Sequence, residues 1–290
     1  MSSRRAFLKF AGTAALSATA APLLARAAGA AAPDFAALEA ASGGRLGVAL
    51  MRSDGGIRAG HRADERFPMC STFKYLLAAA VLARADAGRL SLDGRVPVRA
   101  ADIIDHAPVT GRHVGKDVTV RDLCRATMIW SDNPAANLLL PLVGGPAGLT
   151  AFLRAHGDAV THSDRYEPMM NRFVPGDPRD TSTPAAMAAN LRRFVLGEAL
   201  RPDARAQLGD WLIDNQTGDR RIRAGWPDGW RIGDKTGAAT GISNDIAVLW
   251  PADGGPPWLL ACYLQGSPLE AAGRDDVLRQ AALLASAYLR

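Results

Sequence analysis

The chain has 290 residues, 48% of them hydrophobic and 22% charged, with a formal net charge of +5. That length holds one large domain or two modest ones, and the composition excludes a disordered or fibrous chain. Residues 1–27 contain Arg4, Arg5, Lys9 and Arg26 and no acid, which leaves 30 basic against 29 acidic residues elsewhere and no general electrostatic drive towards nucleic acid. Local basic clusters such as "DRRIR" (219–223) read as a solvated face or a site for a small anion.

The N-terminal segment has a basic start, an apolar middle and a small-residue cleavage site at Ala25-Arg26-Ala27, the pattern of an export signal. Its apolar run carries Gly, Ser and Thr and is too weak for stable membrane insertion. The opening "SRRAFLK" resembles a twin-arginine signal, whose export machinery carries proteins already folded. The expectation is cleavage near Ala27 and a periplasmic mature protein.

Residues 34–42 read as a short helix, and "RLGVALMR" (45–52) turns through "SDGG" into "IRAGHR" as a hairpin. A helix is expected from Pro68 to Gly88. Further helices are expected over 119–130, from Pro134, and over 144–157, 183–197 and 201–215. "WRIGDKTG", "SNDIAVLWP" and "PWLLACYLQG" read as strands, and residues 274–290 as a closing amphipathic helix. Strands thus fall at both ends. The economical fold is α+β: an antiparallel sheet of about five strands from residues 28–66 and 214–290, with a helical domain, 67–213, inserted between its halves. A site is expected where the two meet. Cys70, Cys124 and Cys262 show no CxxC or metal spacing and read as buried small hydrophobes.

Three short motifs stand out. Ser71 and Lys74 are three apart at a helix start, on one face, where free N–H groups favour developing negative charge. Serine needs a base to become a nucleophile, and a lysine among apolar neighbours has a depressed pKa that suits the task. Ser131-Asp132-Asn133 offers a hydroxyl to relay a proton and an amide to hold a carbonyl; alone it reads equally as a helix cap. On a predicted strand, Lys235 and Thr236 suit a carboxylate, and Gly237 lets backbone approach a ligand.

These motifs, in this order, resemble those of the serine penicillin-recognising enzymes. A fourth stretch, "SDRYEPMMNRFVPGDPRD" (163–180), resembles the omega loop of class A β-lactamases, with Glu167-Pro168 followed by Asn171. The resemblance spans the mature chain. It implies hydrolysis of penicillins and cephalosporins through an acyl-enzyme on Ser71, with Lys74, or Glu167 through a water, as acylation base. It implies Ser131 as proton relay and the N–H groups of Ser71 and Ala238 as oxyanion donors. Asn133 would hold the substrate amide, and Lys235, Thr236 and Arg221 its carboxylate. Glu167 and Asn171 would drive deacylation. An Arg165–Asp180 pair would bridge the loop of residues 163–181. A monomer is implied, with no metal and no cofactor. Two other readings remain: a D-alanyl-D-alanine peptidase, which lacks the omega loop, and a non-catalytic binding protein of the same fold.

Some positions depart from the family pattern. Ala238 and Ala239 stand where relatives often have a hydroxyl residue and then Gly, and the segment after Gly237 is about one residue short. The resemblance would pair Cys70 with position 239 and Cys124 with position 78, but both are alanine. His106 occupies the place of an aromatic gate.

Overall fold

A computed structural model describes residues 34–289; the export signal and its cleavage site lie outside them. The first half contains α1 (Phe35–Ser42), β1 (Arg45–Arg52), β2 (Ile57–His61), β3 (Phe67–Pro68), α2 (Phe73–Asp86), β4 (Arg95–Pro97), β5 (Asp117–Thr119), α3 (Val120–Ile129), α4 (Asn133–Leu139) and α5 (Gly145–Ala155). The second half contains β6 (Thr181–Ser182), α6 (Pro184–Leu191), α7 (Pro202–Ile213), α8 (Ile222–Gly225), β7 (Arg231–Ala239), β8 (Ile242–Trp250), β9 (Trp258–Gln265) and α9 (Ala271–Ser286). The fold is α+β. Five antiparallel strands form one sheet in the order β2-β1-β9-β8-β7, so the two chain ends pair through β1 and β9.

Both faces are covered at the middle of this sheet, which is why β1, β8 and β9 read as largely apolar runs. Leu46, Val48 and Leu50 of β1 and Leu260, Cys262 and Leu264 of β9 point to one side, where Val277, Leu278 and Ala281 of α9 pack. Ala49, Met51, Leu259, Ala261 and Tyr263 point to the other, towards the helices. There α2 is the central element: every residue from Phe73 to Leu82 is buried, so it is apolar all round and not amphipathic.

Three sequence expectations need correction. Pro68 does not open a helix: Phe67 and Pro68 pair with Ser182 and Thr181, and Met69 N–H donates to Asp180 O at 2.9 Å. Cys70–Thr72 is a 3-10 turn, and α2 follows at Phe73. The helix expected over 183–197 gives way after Leu191 to a π-helical turn, Arg192–Leu196. The closing helix starts at Ala271, three residues early. In each case tertiary pairing or packing moved a boundary that local propensity does not fix.

Gly47 shows how tightly the sheet meets the Phe67–Pro68 strand ahead of Ser71. A Cβ there would lie 2.4 Å from Phe67 Cε2, and that ring is fully buried. Gly47→Ala is expected to lower stability by about 1–3 kcal/mol. An unchanged denaturation midpoint would contradict this packing.

Candidate active site

The cleft between β7 and the helical layer holds Ser71, Ser131, Asn133, Asn171, Thr236 and Gly237 in a volume of about 270 Å³. His106, Arg221 and Ala238 line it as well. Ser71 sits at the middle of the 3-10 turn ahead of α2, half-buried, and Lys74 lies in the first turn of α2, fully buried. The two share a face, as the spacing implies, yet among the described residues no hydrogen bond joins them. A buried ammonium demands acceptors. Lys74 Nζ donates instead to Ser131 O at 2.7 Å and Asn133 Oδ1 at 2.5 Å, and reaches Ser131 Oγ at 3.4 Å. It also lies 3.3 Å from Glu167 Oε1. Burial pulls the Lys74 pKa below the ordinary lysine range, against the opposing pull of the Glu167 carboxylate.

The Ser131-Asp132-Asn133 turn unites both of its sequence readings. Asp132 is a structural cap: its Oδ1 accepts from Ala135 N–H at 2.9 Å and from the Thr110 hydroxyl at 2.8 Å. Its Oδ2 accepts from the N–H groups of Val109 and Thr110, both at 2.9 Å. That clamp frees Ser131 and Asn133 to face the cleft. Asn133 Nδ2 donates to Asp105 O at 3.0 Å, which aims its Oδ1 at Lys74. His106 is exposed at the rim, its Nε2 at 2.9 Å from Trp130 O.

β7 closes the opposite wall. It is an edge strand, so backbone groups on its outer side have no strand partner and face the Cys70–Thr72 turn. Gly237 permits the approach: a Cβ there would sit 2.8 Å from Met69 O and 3.2 Å from Ser71 N. Lys235 is fully buried and donates from Nζ to Ser131 Oγ at 3.1 Å and Thr236 O at 3.0 Å. Burial, aided by the positive charge of Lys74, lowers its pKa to about 7. Ser131 Oγ therefore stands between two lysines. Thr236 Oγ1 is 2.5 Å from Thr217 Oγ1. Arg221 reaches the same wall with its guanidinium largely committed: Nε donates to Asp275 Oδ1 at 2.7 Å, and Nη1 to Gly237 O at 3.0 Å and Asn244 O at 2.7 Å.

Beneath the wall lie groups that the sequence did not single out. Asp234 receives Asn215 Nδ2 at 2.5 Å and Arg223 Nε, and Asp245 is buried beside it on β8. Burial raises the pKa of both carboxyls, and for Asp245 the neighbouring Asp234 charge adds to the rise.

The loop over 163–181 brings the fourth motif into the same cleft. Glu167 is buried; its Oε2 accepts from Asn171 Nδ2 at 2.6 Å. Its backbone is clasped from both sides by Asn137 of α4: Glu167 N–H donates to Asn137 Oδ1 and Asn137 Nδ2 donates to Glu167 O, each at 2.9 Å. The Glu167-Pro168 peptide is cis. Asn137 was missed in the sequence, although its i+4 spacing from Asn133 puts both amides on one helix face. Asn171 Oδ1 is buried with no hydrogen-bond donor among the described residues, and Glu167 Oε1 faces Lys74 Nζ at 3.3 Å. The loop ends are pinned by Arg165 Nε donating to Asp180 Oδ2 at 2.6 Å, while Asp180 Oδ1 accepts from the N–H groups of Asp164 and Arg165. All three cysteines are free buried thiols, and burial pushes Cys70 up to about 12.

The model of the "Beta-lactamase enzyme family" matches residues 30–289. The chain is 58% identical to β-lactamase L2 of Stenotrophomonas maltophilia, with 98% of each covered. It is 47% identical to β-lactamase OXY-2 of Klebsiella oxytoca, with 84% of each covered. Among solved structures, L2 complexed with relebactam is similar at a TM-score of 0.87 and 60% identity, covering 90% of this chain and 97% of that one. A β-lactamase from Xanthomonas campestris gives 0.86 and 54%, covering 88% and 96%.

The Asp180 clamp generates a stability prediction. Asp180→Ala leaves Arg165 without its partner and removes two acceptor bonds at a residue whose φ is 55°. The expected loss is about 3 kcal/mol. Asp180→Asn, which keeps an acceptor and tolerates that φ, should lose less. Equal denaturation midpoints for the two variants would remove the clamp from the account.

Proposed function

Because the chain belongs to the class A β-lactamase family, we propose that it hydrolyses the β-lactam amide of penicillins and cephalosporins through an acyl-enzyme on Ser71. The observation that carries this is the buried Glu167 carboxylate, its Oε1 3.3 Å from Lys74 Nζ and its Oε2 accepting from Asn171 Nδ2, with Asn171 lining the same cleft as Ser71. A water held by Glu167 and Asn171 has a base at hand. An acyl-enzyme beside a base and a water turns over; without them it is a dead end, the fate expected of a penicillin-binding peptidase.

The steps follow from positions. Ser71 attacks the lactam carbonyl. Its proton passes to Lys74, or through a water to Glu167; with Nζ and Oε1 3.3 Å apart, either route delivers it to the same pair. The N–H groups of Ser71 and Ala238 hold the oxyanion, and losing one such donor typically costs about a hundred- to a thousand-fold in rate. Ser131, hydrogen-bonded to Lys235, returns a proton to the leaving nitrogen. Asn133 orients the substrate amide, and His106 flanks the entrance. Lys235 and Thr236 take the carboxylate. Arg221 adds its charge while holding the carbonyls of Gly237 and Asn244 in place. Glu167 and Asn171 then direct water at the ester. We further propose export to the periplasm through the twin-arginine signal and a monomeric mature enzyme.

Intact mass followed after mixing with benzylpenicillin tests the reading. An adduct on Ser71 that vanishes as penicilloate accumulates is expected; an adduct that persists would move the protein to the peptidase group, and none at all would leave a non-catalytic relative. Glu167→Ala should acylate and then stall, leaving Ser71 blocked, whereas Lys74→Ala should slow acylation itself. Hydrolysis by the Glu167 variant at the wild-type rate would refute its role.

A pH dependence follows from Lys235. The cation binds the carboxylate, and with a pKa of about 7 in the free enzyme it is lost as pH rises. Since kcat/KM reports free-enzyme groups, kcat/KM should fall above pH ~7 through a rising KM, with kcat less affected because bound carboxylate favours the charged form. Lys235→Arg remains charged and should move this limb to higher pH. A limb that does not move assigns it to another group.

A further inference from the structure

A second cavity lies on the helical layer, away from the cleft, between the end of α2 and the start of α7, and encloses about 640 Å³. Four arginines line it: Arg84 and Arg89 from the end of α2, Arg201 and Arg205 from the start of α7. Two carboxylates, Asp86 and Glu198, accompany them, and one is engaged, with Asp86 Oδ2 accepting from Arg201 N–H at 2.9 Å. Among the described residues none of the four arginines forms an ion pair. Arg205 donates one bond to Gly197 O, and Arg84 Nε is buried without any partner.

Ordinary helix electrostatics accounts for one of these residues. Arg84 is in the last turn of α2, where a cation suits the helix dipole. Arg201 and Arg205 are placed against it: Arg201 stands at the N-cap of α7 without a capping bond, and Arg205 follows one turn later. The only acid in that first turn is Asp203, which is exposed. Four like charges around one recess, two of them at the wrong end of a helix, outnumber the two carboxylates beside them, and a bound anion would balance the excess. Guanidinium groups match phosphate oxygens in paired N–H donors, and an anion here would offset the adverse dipole as well. We propose that this cavity binds a small soluble phosphate-type polyanion, held by Arg84, Arg89, Arg201 and Arg205.

The test is calorimetric titration of the mature protein with inorganic pyrophosphate and with phosphate at constant ionic strength. Saturable one-site binding is expected, together with a rise in melting temperature. Arg89→Gln/Arg201→Gln, exposed at the rim, should fold normally and weaken binding by roughly tenfold or more, since two of four charge-assisted contacts are gone. A charge-matched control at exposed positions outside the cavity, Arg58→Gln/Arg112→Gln, should bind as wild type. β-Lactam turnover should be unchanged in both, so failure here leaves the active-site reading standing. Absence of saturable binding, equal weakening in the control, or a response only to phosphatidylglycerol vesicles overturns the proposal.

Discussion

The site depends on holding two ammonium groups fully buried at the base of one cleft. Lys74 and Lys235 are both fully buried and converge on one hydroxyl, Ser131 Oγ. An isolated buried cation is costly enough that it either finds partners or gives up its proton, and this protein uses both outcomes. Lys74 is met by a carbonyl, an amide oxygen and a carboxylate, from α4 and the loop over 163–181. Lys235 has fewer acceptors and the charge of Lys74 to contend with, and its pKa falls to about 7. Asp132, Asp234, Asp245 and Glu167 are all buried around the pair. Removing any one changes the balance for the rest, so these residues are best regarded as one charged cluster and not as separate motifs.

Holding that cluster requires backbone that propensity alone would not choose. Five described residues other than glycine have positive φ, and four belong to the site: Cys70 (44°), His106 (64°), Ser131 (59°) and Asp180 (55°). Such conformations cost about 1–3 kcal/mol each and persist only where the surroundings enforce them. The enforcement is visible. Met69 N–H is fixed by Asp180 O, Asn133 N–H by His106 O, and Asp132 gathers four donors. The Cys70–Thr72 turn, the Ser131 turn and the long loop thus restrain one another, and the stability of the loop is part of the geometry at Ser71.

The motif residues, those on β7 included, were legible because their chemistry lies in short local patterns, and β1, β8 and β9 because burial on both faces writes long apolar runs. The pairs β3–β6 and β4–β5 were not legible: strands of two or three residues carry no periodicity. Pro68 misled for the same reason, since its strand partner, Thr181, is over a hundred positions away and leaves no local trace. Spacing put Ser71 and Lys74 on one face, but spacing says nothing of the acceptors that α4 and Glu167 present to the amine. Asn137, Asn215, Thr217 and Asp245 act by supporting others, and a supporting residue has no signature until the supported group is located.

The departures around Ala238 acquire a physical meaning in this setting. With no hydroxyl at 238, the carboxylate end of the cleft has one fewer neutral donor, and the Thr236 hydroxyl is shared with Thr217. Arg221 has Nε and Nη1 turned towards Asp275 and two carbonyls. What is left for an anion is chiefly field: Lys235 below, the guanidinium of Arg221 behind, and the exposed edge of β7. Recognition by charge more than by directed hydrogen bonds tolerates variation in where the carboxylate sits, because Coulomb attraction varies slowly with position whereas a hydrogen bond fails within tenths of an ångström. Under the proposed function, the position that loses a hydroxyl therefore shifts the site towards looser placement of the anion and would leave Asn133 and the N–H groups of Ser71 and Ala238 to set the register of the lactam carbonyl.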